Sequence, residues 1–268
     1  MPCGRAADNE RNMQIELKPN EKIEDLQCDG LQLIQSKDEY RFTTDAVLLA
    51  NFCKNMQGKL CVEFGAGSGV ISLLLAKKKR PRRIVAIELQ PQLADMMQRS
   101  VTLNDLQGVI EVVCDDLKNA RNYANCADVV VCNPPYRRVG SGEMQLQRNL
   151  AICRHEVMAT LEDVIQSASQ VLNNRGSFYL VHQAERLSEI VTLCSKHNLA
   201  VKEILPVCPR PNTPPNLVLI RAVKAGELDC KLHAPMYVTD EDGNYTPEAK
   251  AWYNIEISHP MSQNRGKK

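Results

Sequence analysis

The chain has 268 residues, of which 44% are hydrophobic and 24% charged, and its formal net charge is +1. This is the composition of an ordinary globular protein, with room for one large domain or two small ones. The near-neutral total excludes attraction of nucleic acid by the overall field, so any nucleic-acid binding must use a local basic patch.

The cysteines narrow the possible classes of protein further. The chain has 11 cysteines, but none forms a C-x-x-C pair and no histidine cluster accompanies them, which argues against a zinc or other metal site. The odd count and the lack of a recognisable signal peptide are typical of a reduced, cytoplasmic protein. No apolar run is long enough to span a membrane, and a monomer is the default expectation.

The first sixty residues or so precede the main pattern. Residues 31–42, "LQLIQSKDEYRF", are typical of a hairpin-like stretch with a polar turn. Residues 43–53 predict a helix with Thr43 or Thr44 as its N-cap. We therefore expect residues 1–57 to form an N-terminal extension that packs on a core.

Strands and helices alternate over residues 58–224. Such alternation predicts an α/β doubly wound sheet, mostly parallel, with helices on both faces. The last two strands are joined by the proline-rich segment 208–216, which holds no helix, so the final strand should run antiparallel. Residues 225–268 should form a C-terminal extension with a disordered tail. The predicted strands are residues 60–64, 83–88, 109–114, 128–132, 176–181, 200–207 and 216–223, and the predicted helices are residues 70–78, 91–104, 161–172 and 186–197.

A glycine-rich loop, "GAGSG", joins the first strand of this sheet to its helix. Gly65, Gly67 and Gly69 allow a tight turn and close approach of a ligand, but their G-x-G-x-G spacing differs from the dinucleotide fingerprint. Glu63, just before the loop, would repel a pyrophosphate and suit a cationic amine. Glu88 ends the second strand. In doubly wound sheets an acidic residue at this position accepts hydrogen bonds from the hydroxyls of a ribose. A ligand that has a ribose and an ammonium group but no phosphate is S-adenosylmethionine, so the motif predicts this cofactor. The alternative interpretation is that the three glycines only allow the helix to pack closely on the strand.

The third predicted strand is followed by two acids. One of them should contact the adenine amino group of the cofactor. We favour Asp116 over Asp115, because Asp116 directly precedes a hydrophobic residue at the strand-to-helix turn. A plain helix cap is the alternative for this position.

The fourth predicted strand ends on "NPPY". Ligands of a doubly wound sheet bind beyond the carboxyl ends of its strands, so these residues should lie beside the glycine loop and its cofactor. The side-chain carbonyl of Asn133 and the backbone carbonyl of Pro134 can accept both hydrogens of a planar amino group, and Tyr136 can stack on that group. The three residues predict a catalytic site for methyl transfer to an amine that works by positioning and electrostatics rather than by a strong base.

These motifs resemble those of the amino-methyltransferases, in which [DNS]-P-P-[YFW] follows strand four and E/D-x-G-x-G-x-G lies at strand one. The resemblance covers residues 60–223 and implies a Rossmann-like class I methyltransferase fold. "YRFTTDAVLLANF" (40–52), "RHE" (154–156) and "YVTDEDGNYTPEA" (237–249) resemble one branch, the bacterial tRNA1(Val) (adenine37-N6)-methyltransferases. That branch implies a tRNA substrate, methylated on N6 of the adenine 3′ of the anticodon of valine tRNA. "VCDD" departs from the pattern, because two acids share the turn after strand three.

Basic residues near the predicted catalytic site are the candidates for RNA contact. As a group they predict phosphate contacts. The more conspicuous run "KKKRPRR" (77–83) ends a helix that leads away from the catalytic residues, so we interpret it as a solvated helix end. The candidates are Arg137, Arg138, Arg148, Arg154, His155 and Arg210.

Other functions remain open. The same Asn-Pro-Pro-Tyr motif serves methyltransferases that act on rRNA adenine N6, on guanine N2 or on protein glutamine N5, although the glutamine enzymes carry a longer helical N-terminal domain. A non-catalytic RNA-binding module on a decayed methyltransferase fold is the alternative from another class. The intact glycine loop and Asn133 argue against that module.

Overall fold

The computed structural model of the chain describes residues 16–37, 44–134 and 159–253. It confirms a mixed α/β fold around a mostly parallel sheet. The helices are α1 (Thr44–Phe52), α2 (Val70–Lys79), α3 (Pro91–Leu103), α4 (Leu161–Val171), α5 (Leu187–Lys196) and α6 (Pro247–Tyr253). The strands are β1 (Glu21–Asp25), β2 (Gln32–Ser36), β3 (Leu60–Phe64), β4 (Arg83–Glu88), β5 (Ile110–Cys114), β6 (Ala127–Cys132), β7 (Leu172–Gln183), β8 (Leu199–Cys208), β9 (Leu217–Lys224), β10 (Lys231–Leu232) and β11 (Met236–Tyr237).

The main sheet has the strand order β8–β9–β7–β6–β3–β4–β5. Strands β3 to β7 pair in parallel, whereas β9 lies between β7 and β8 and runs antiparallel to both. The seven predicted strands and the reversal of the last one are therefore confirmed. The short strands β10 and β11 pair with β8 and were not predicted. Because β3, β4, β5 and β6 are parallel, the loops that follow them meet at one edge of the sheet, here called the carboxyl edge.

Helices cover both faces of the sheet. On one face the apolar side chains of α1, α2 and α3 pack together with those of β2, and on the other face those of α4 and α5 form a second cluster. Side chains alternate along each strand, so Cys61 belongs to the first cluster and Val62 and Phe64 belong to the second. Glu63 consequently points to the face that α2 covers.

Strand β7 begins earlier than predicted. It follows α4 directly at Leu172, and its pairing with β6 shifts register between Ala127 and Val129. Arg175 has a φ of 66°, and a Cβ on Gly176 would lie 2.9 Å from the carbonyl oxygen of Asn173. The bulge at this register shift accommodates residues 173–176, whose composition is typical of a turn, within the strand. A 3₁₀ helix, Leu117–Tyr123, connects β5 to β6 and was also not predicted.

The N-terminal hairpin differs from the predicted one. Strand β2 lies within residues 31–42, but its partner is the preceding β1, and residues 38–43 lie outside the described ranges. Helix α3 binds the hairpin through its side chains. Ser100 Oγ accepts a hydrogen bond from the Ile34 N–H at 2.9 Å, and Arg99 Nη2 donates to Glu21 Oε1 at 2.6 Å.

The C-terminal segment returns to the first face of the sheet. Helix α6 packs on α1, where Asn51 Nδ2 donates to the carbonyl oxygen of Trp252 at 2.8 Å. The predicted disordered tail lies beyond residue 253, outside the described part of the chain. Within the described ranges, none of the helices has the length and apolar character needed to cross a bilayer.

Candidate active site

The glycine loop follows β3 at the carboxyl edge. Gly65, Gly67 and Gly69 all have positive φ angles, of 62°, 58° and 98°. A Cβ at Gly65 or Gly67 would meet no atom within 4 Å, so these two positions border open space. A Cβ at Gly69 would lie 2.7 Å from Cγ of Met97, so helix α3 requires glycine there. Close packing therefore explains the glycine at position 69. Gly65 and Gly67 instead border an open space, here called the cradle, which a side chain at either position would fill.

Glu88 ties the loop to the next strand. Its side chain ends β4 and is 5% exposed. Oε2 accepts the N–H of Gly67 at 2.8 Å, and Oε1 accepts the N–H of Gln90 at 2.9 Å. A carboxylate has about four lone-pair sites, so each oxygen keeps acceptor capacity for a ribose hydroxyl.

Glu63 lies beneath the loop rather than on its surface. Its side chain is 1% exposed and accepts a short hydrogen bond from the hydroxyl of Ser72 in the first turn of α2. Burial and, to a smaller extent, the charge of Glu88 raise the pKa of Glu63 to about 8, against the lowering effect of the side-chain and backbone hydrogen bonds from Ser72. Ser72 was missed in the sequence analysis. The available signal was a hydroxyl within the otherwise apolar segment "VISLLLA".

The two acids after β5 have different surroundings. The backbone N–H of Asp115 donates to the carbonyl oxygen of Glu88 at 3.1 Å, which places Asp115 beside the loop after β4. Asp116 caps the 3₁₀ helix, because its Oδ1 accepts the N–H of Lys118 at 2.9 Å and its Oδ2 lies 3.2 Å from Lys118 Nζ. The helix cap considered as the alternative is therefore present. The adenine contact at Asp116 stays a prediction.

Asn133 and Pro134 come directly after β6, which pairs with β3. Cys132 is the register partner of Phe64, so Asn133 and Gly65 follow neighbouring strands at the same level. Asn133 is half-buried and Pro134 is buried. The structure thus brings the glycine loop and the first two residues of "NPPY" together.

Several predicted site residues lie outside the described ranges. Arg210, which is described, is exposed in the loop between β8 and β9. Along the sheet β8, which ends two residues before Arg210, is three strand spacings from β6, about 14 Å at ~4.8 Å per spacing. The residues outside the described part of the chain are Tyr136, Arg137, Arg138, Arg148, Arg154 and His155.

The basic run at the end of α2 differs from a solvated helix end. Lys78 Nζ donates to Asn51 Oδ1 at 3.1 Å, and Lys79 Nζ donates to the Asn51 carbonyl oxygen at 3.2 Å. Burial lowers the pKa of both lysines. The interpretation was wrong for these two residues, because the carbonyl end of α1 lies within their reach. Lys77 and Arg80 are exposed.

His182 is a structural residue of β7. It is 1% exposed, and its Nδ1 accepts the N–H of Gln183 at 2.8 Å. Burial lowers its pKa to about 4, so the ring is neutral at pH 7. In the described part of the chain, no three His, Cys, Asp or Glu side chains are grouped so that they could hold a metal ion.

The arrangement fits a nucleoside with a cationic tail. The open space at Gly65 and Gly67 accommodates close approach of the ligand, and Glu88 offers acceptors for a ribose diol. Glu63 supplies a carboxyl group under the same loop, which suits a cationic group better than a phosphate. S-adenosylmethionine has this combination of groups.

Comparison with known proteins gives the same class. The family model of the methyltransferase small domain matches residues 34–196. A tRNA1(Val) (adenine(37)-N6)-methyltransferase of Shewanella halifaxensis is 28% identical over 216 residues, which are 76% of this chain and 87% of that protein. The protein of the same name from Bacteroides fragilis (strain YCH46) is 28% identical over 190 residues, which are 70% of this chain and 78% of that protein.

Solved structures share the fold. A predicted O-methyltransferase from Agrobacterium tumefaciens superposes with a TM-score of 0.62 at 24% identity, over 78% of this chain and 95% of that one. M. jannaschii TYW2 in complex with AdoMet superposes with a TM-score of 0.52 at 16% identity, over 78% of this chain and 88% of that one. These likenesses confirm the class I methyltransferase fold.

Proposed function

The chain belongs to the methyltransferase small domain family, and on this premise we propose that it transfers a methyl group from S-adenosylmethionine to N6 of an adenine in tRNA. The proposed target is the adenine 3′ of the anticodon of valine tRNA. The observation that carries the proposal is the meeting of the glycine loop and Asn133–Pro134 at the ends of the paired strands β3 and β6. We also propose a cytoplasmic location for the chain.

The chain's own residues divide between holding the cofactor and holding the amine. Bound S-adenosylmethionine supplies a methyl group on a positively charged sulfur. Glu88 would accept hydrogen bonds from the ribose, and the backbone at Gly65 and Gly67 leaves room for the ligand. Asp116 would meet the adenine of the cofactor, with Asp115 as the open alternative.

Asn133 and Pro134 would bind the target amine. Two acceptors on the two hydrogens of –NH₂ draw the nitrogen lone pair out of conjugation and aim it away from the ring plane. Pro134 stiffens the backbone that carries one acceptor. Tyr136 would hold the extruded base by stacking, which is worth about 1–3 kcal/mol per base. A base in an unpaired loop costs little to extract.

The names of the relatives support adenine N6 in tRNA as the target. The test is to incubate the purified chain and S-adenosylmethionine with unmodified tRNA, with rRNA and with a release factor, followed by nucleoside and peptide mass spectrometry. We expect N6-methyladenosine in tRNA and none with the Asn133→Ala variant. Methylated glutamine in the release factor, or methylated guanine or adenine in rRNA alone, would replace this function with one of the alternatives. Bound cofactor without methylation of any substrate would favour the non-catalytic module.

The RNA face can be tested by charge reversal. Arg137 and Arg138 directly follow Tyr136, so replacing both with glutamate should weaken tRNA binding and reduce its salt dependence by about one unit per lost phosphate contact. Lys77 and Arg80 form a matched pair, because both are exposed and neither contacts the carbonyl end of α1 as Lys78 and Lys79 do. Equal effects from the two double variants would contradict the proposed face.

A further inference from the structure

Glu63 and Ser72 form a buried polar pair under the glycine loop. Their side chains belong to residues that are 1% and 0% exposed, and the Ser72 hydroxyl donates to Glu63 Oε2. Ser72 lies in the first turn of α2, where backbone N–H groups have no partner within the helix. The carboxyl of Glu63 therefore meets donors on the side of α2.

The other titratable groups around Glu63 supply no positive charge to stabilise its ionised form. Glu88 of β4 is a second carboxylate at the same loop and raises the pKa of Glu63. Cys132 of β6, Cys61 of β3 and Cys53 after α1 are buried thiols, and burial raises their pKa values so that they stay neutral. Burial in low dielectric favours the neutral form of an acid, and a nearby like charge does the same. Burial and the neighbouring carboxylate therefore favour the protonated form of Glu63 in the ligand-free protein, and its pKa is raised to about 8.

We propose that Glu63, positioned by Ser72, is a specificity-determining residue that holds a proton in the free site and releases it when a ligand of net positive charge binds at the glycine loop. In this step the O–H bond of the Glu63 carboxyl breaks, the electron pair stays on the carboxylate, and the proton passes to the solvent. The inference rests on the proposed function, because it takes S-adenosylmethionine as the ligand.

Proton release by Glu63 would favour binding of S-adenosylmethionine over binding of its product, S-adenosylhomocysteine. S-adenosylmethionine carries a positive sulfur in addition to its ammonium and carboxylate, whereas S-adenosylhomocysteine carries only the last two and is neutral overall. Ionised Glu63 stabilises the first ligand more than the second. After methyl transfer Glu63 regains a proton, and the product is bound without the additional attraction.

Proton release is measured directly by calorimetry. The full chain is titrated with each ligand at pH 7 in phosphate and in Tris, and the difference in observed enthalpy between buffers gives the number of protons released. We expect S-adenosylmethionine to release at least about half a proton more than S-adenosylhomocysteine. The affinity for S-adenosylmethionine should rise with pH, by at most about tenfold per unit, and become constant above the pKa of Glu63.

Three variants identify the source of the proton. Glu63→Gln should abolish the additional release and make the ratio of the two affinities independent of pH. Ser72→Ala removes the hydroxyl hydrogen bond that favours the ionised form, so the rise in affinity should move to higher pH. Glu111→Gln changes an exposed glutamate on β5 in the same way and should release protons as the wild type does.

The outcomes separate the inference from the proposed function. Equal proton release with both ligands, or additional release that persists in Glu63→Gln, would overturn the inference and leave the cofactor assignment intact. If Glu63→Gln does not fold, an unchanged pH profile in folded Ser72→Ala overturns it. If the folded wild type binds neither ligand, the proposed function itself is wrong.

Discussion

Replacing Gly67 with valine should abolish S-adenosylmethionine binding while the protein remains folded. Gly67 has a φ of 58°, a conformation in which a β-branched residue is strained by about 1–3 kcal/mol. A Cβ there would meet no atom within 4 Å, so no overpacking adds to that strain. The total is well below the ~5–15 kcal/mol by which native domains are stable. The added side chain would instead occupy the cradle that the ligand needs.

Gly58, which lies just before β3, offers a matched control at the opposite end of that strand from Gly67. Its φ is 72°, and a Cβ there would also meet nothing within 4 Å. Gly58→Val should therefore lose similar stability, about 2–4 °C of melting temperature per kcal/mol, and bind the cofactor normally. Thermal unfolding and calorimetric titration of both variants measure the two effects separately. Wild-type affinity in folded Gly67→Val, or equal loss of affinity in both variants, would refute the reasoning.

Three other changes test the chemistry and the hairpin. Asn133→Ala should lower the single-turnover rate of methyl transfer about a hundredfold to a thousandfold with little loss of cofactor affinity, because one preorganised acceptor is removed; a parallel loss of affinity would contradict this role. Tyr136→Ala should weaken tRNA binding by about 1–3 kcal/mol and Tyr136→Phe much less, as measured by KM, since the ring face does the stacking. Arg99→Ala should remove about 1–3 kcal/mol from the free energy of unfolding at pH 7, because the Arg99 hydrogen bonds lower the pKa of Glu21. That contribution is present above the ordinary value of 4.5 and is lost as the pH falls through the lowered pKa, so urea melts of the variant and the wild type should converge in acid.

The core strands were predictable because they are apolar and long enough to show a pattern. The strand β1, "EKIED", has one apolar residue, and it forms because β2 and the side chains of α3 hold it. The strands β10 and β11 have two residues each, too few for any periodicity. The first part of β7 contains "NNR", a turn-like composition that the bulge accommodates.

Motif spacing placed Gly67, Glu88 and Asn133 at one edge of the sheet, and the geometry agrees for these residues. The sequence does not show how deeply a given polar side chain is buried. Glu63 was expected to present its charge to a ligand, yet it is buried and bonded to Ser72. Lys78 and Lys79 were expected in solvent, yet the end of α1 lies beside them. Both differences arise from helix placement that no local pattern specifies.

The position of β9 ties the folding of this sheet to the order of translation. Strand β8 pairs with β9, β10 and β11, all of which are synthesised after it. From Cys208 to Lys224 the ribosome adds 16 residues, which takes about 1–3 s at ~5–20 residues per second. During that interval β7 keeps an open edge and β8 has no strand to join. A released chain that stops at residue 208 should therefore be cut by protease within β8 while the strands from β3 to β7 resist.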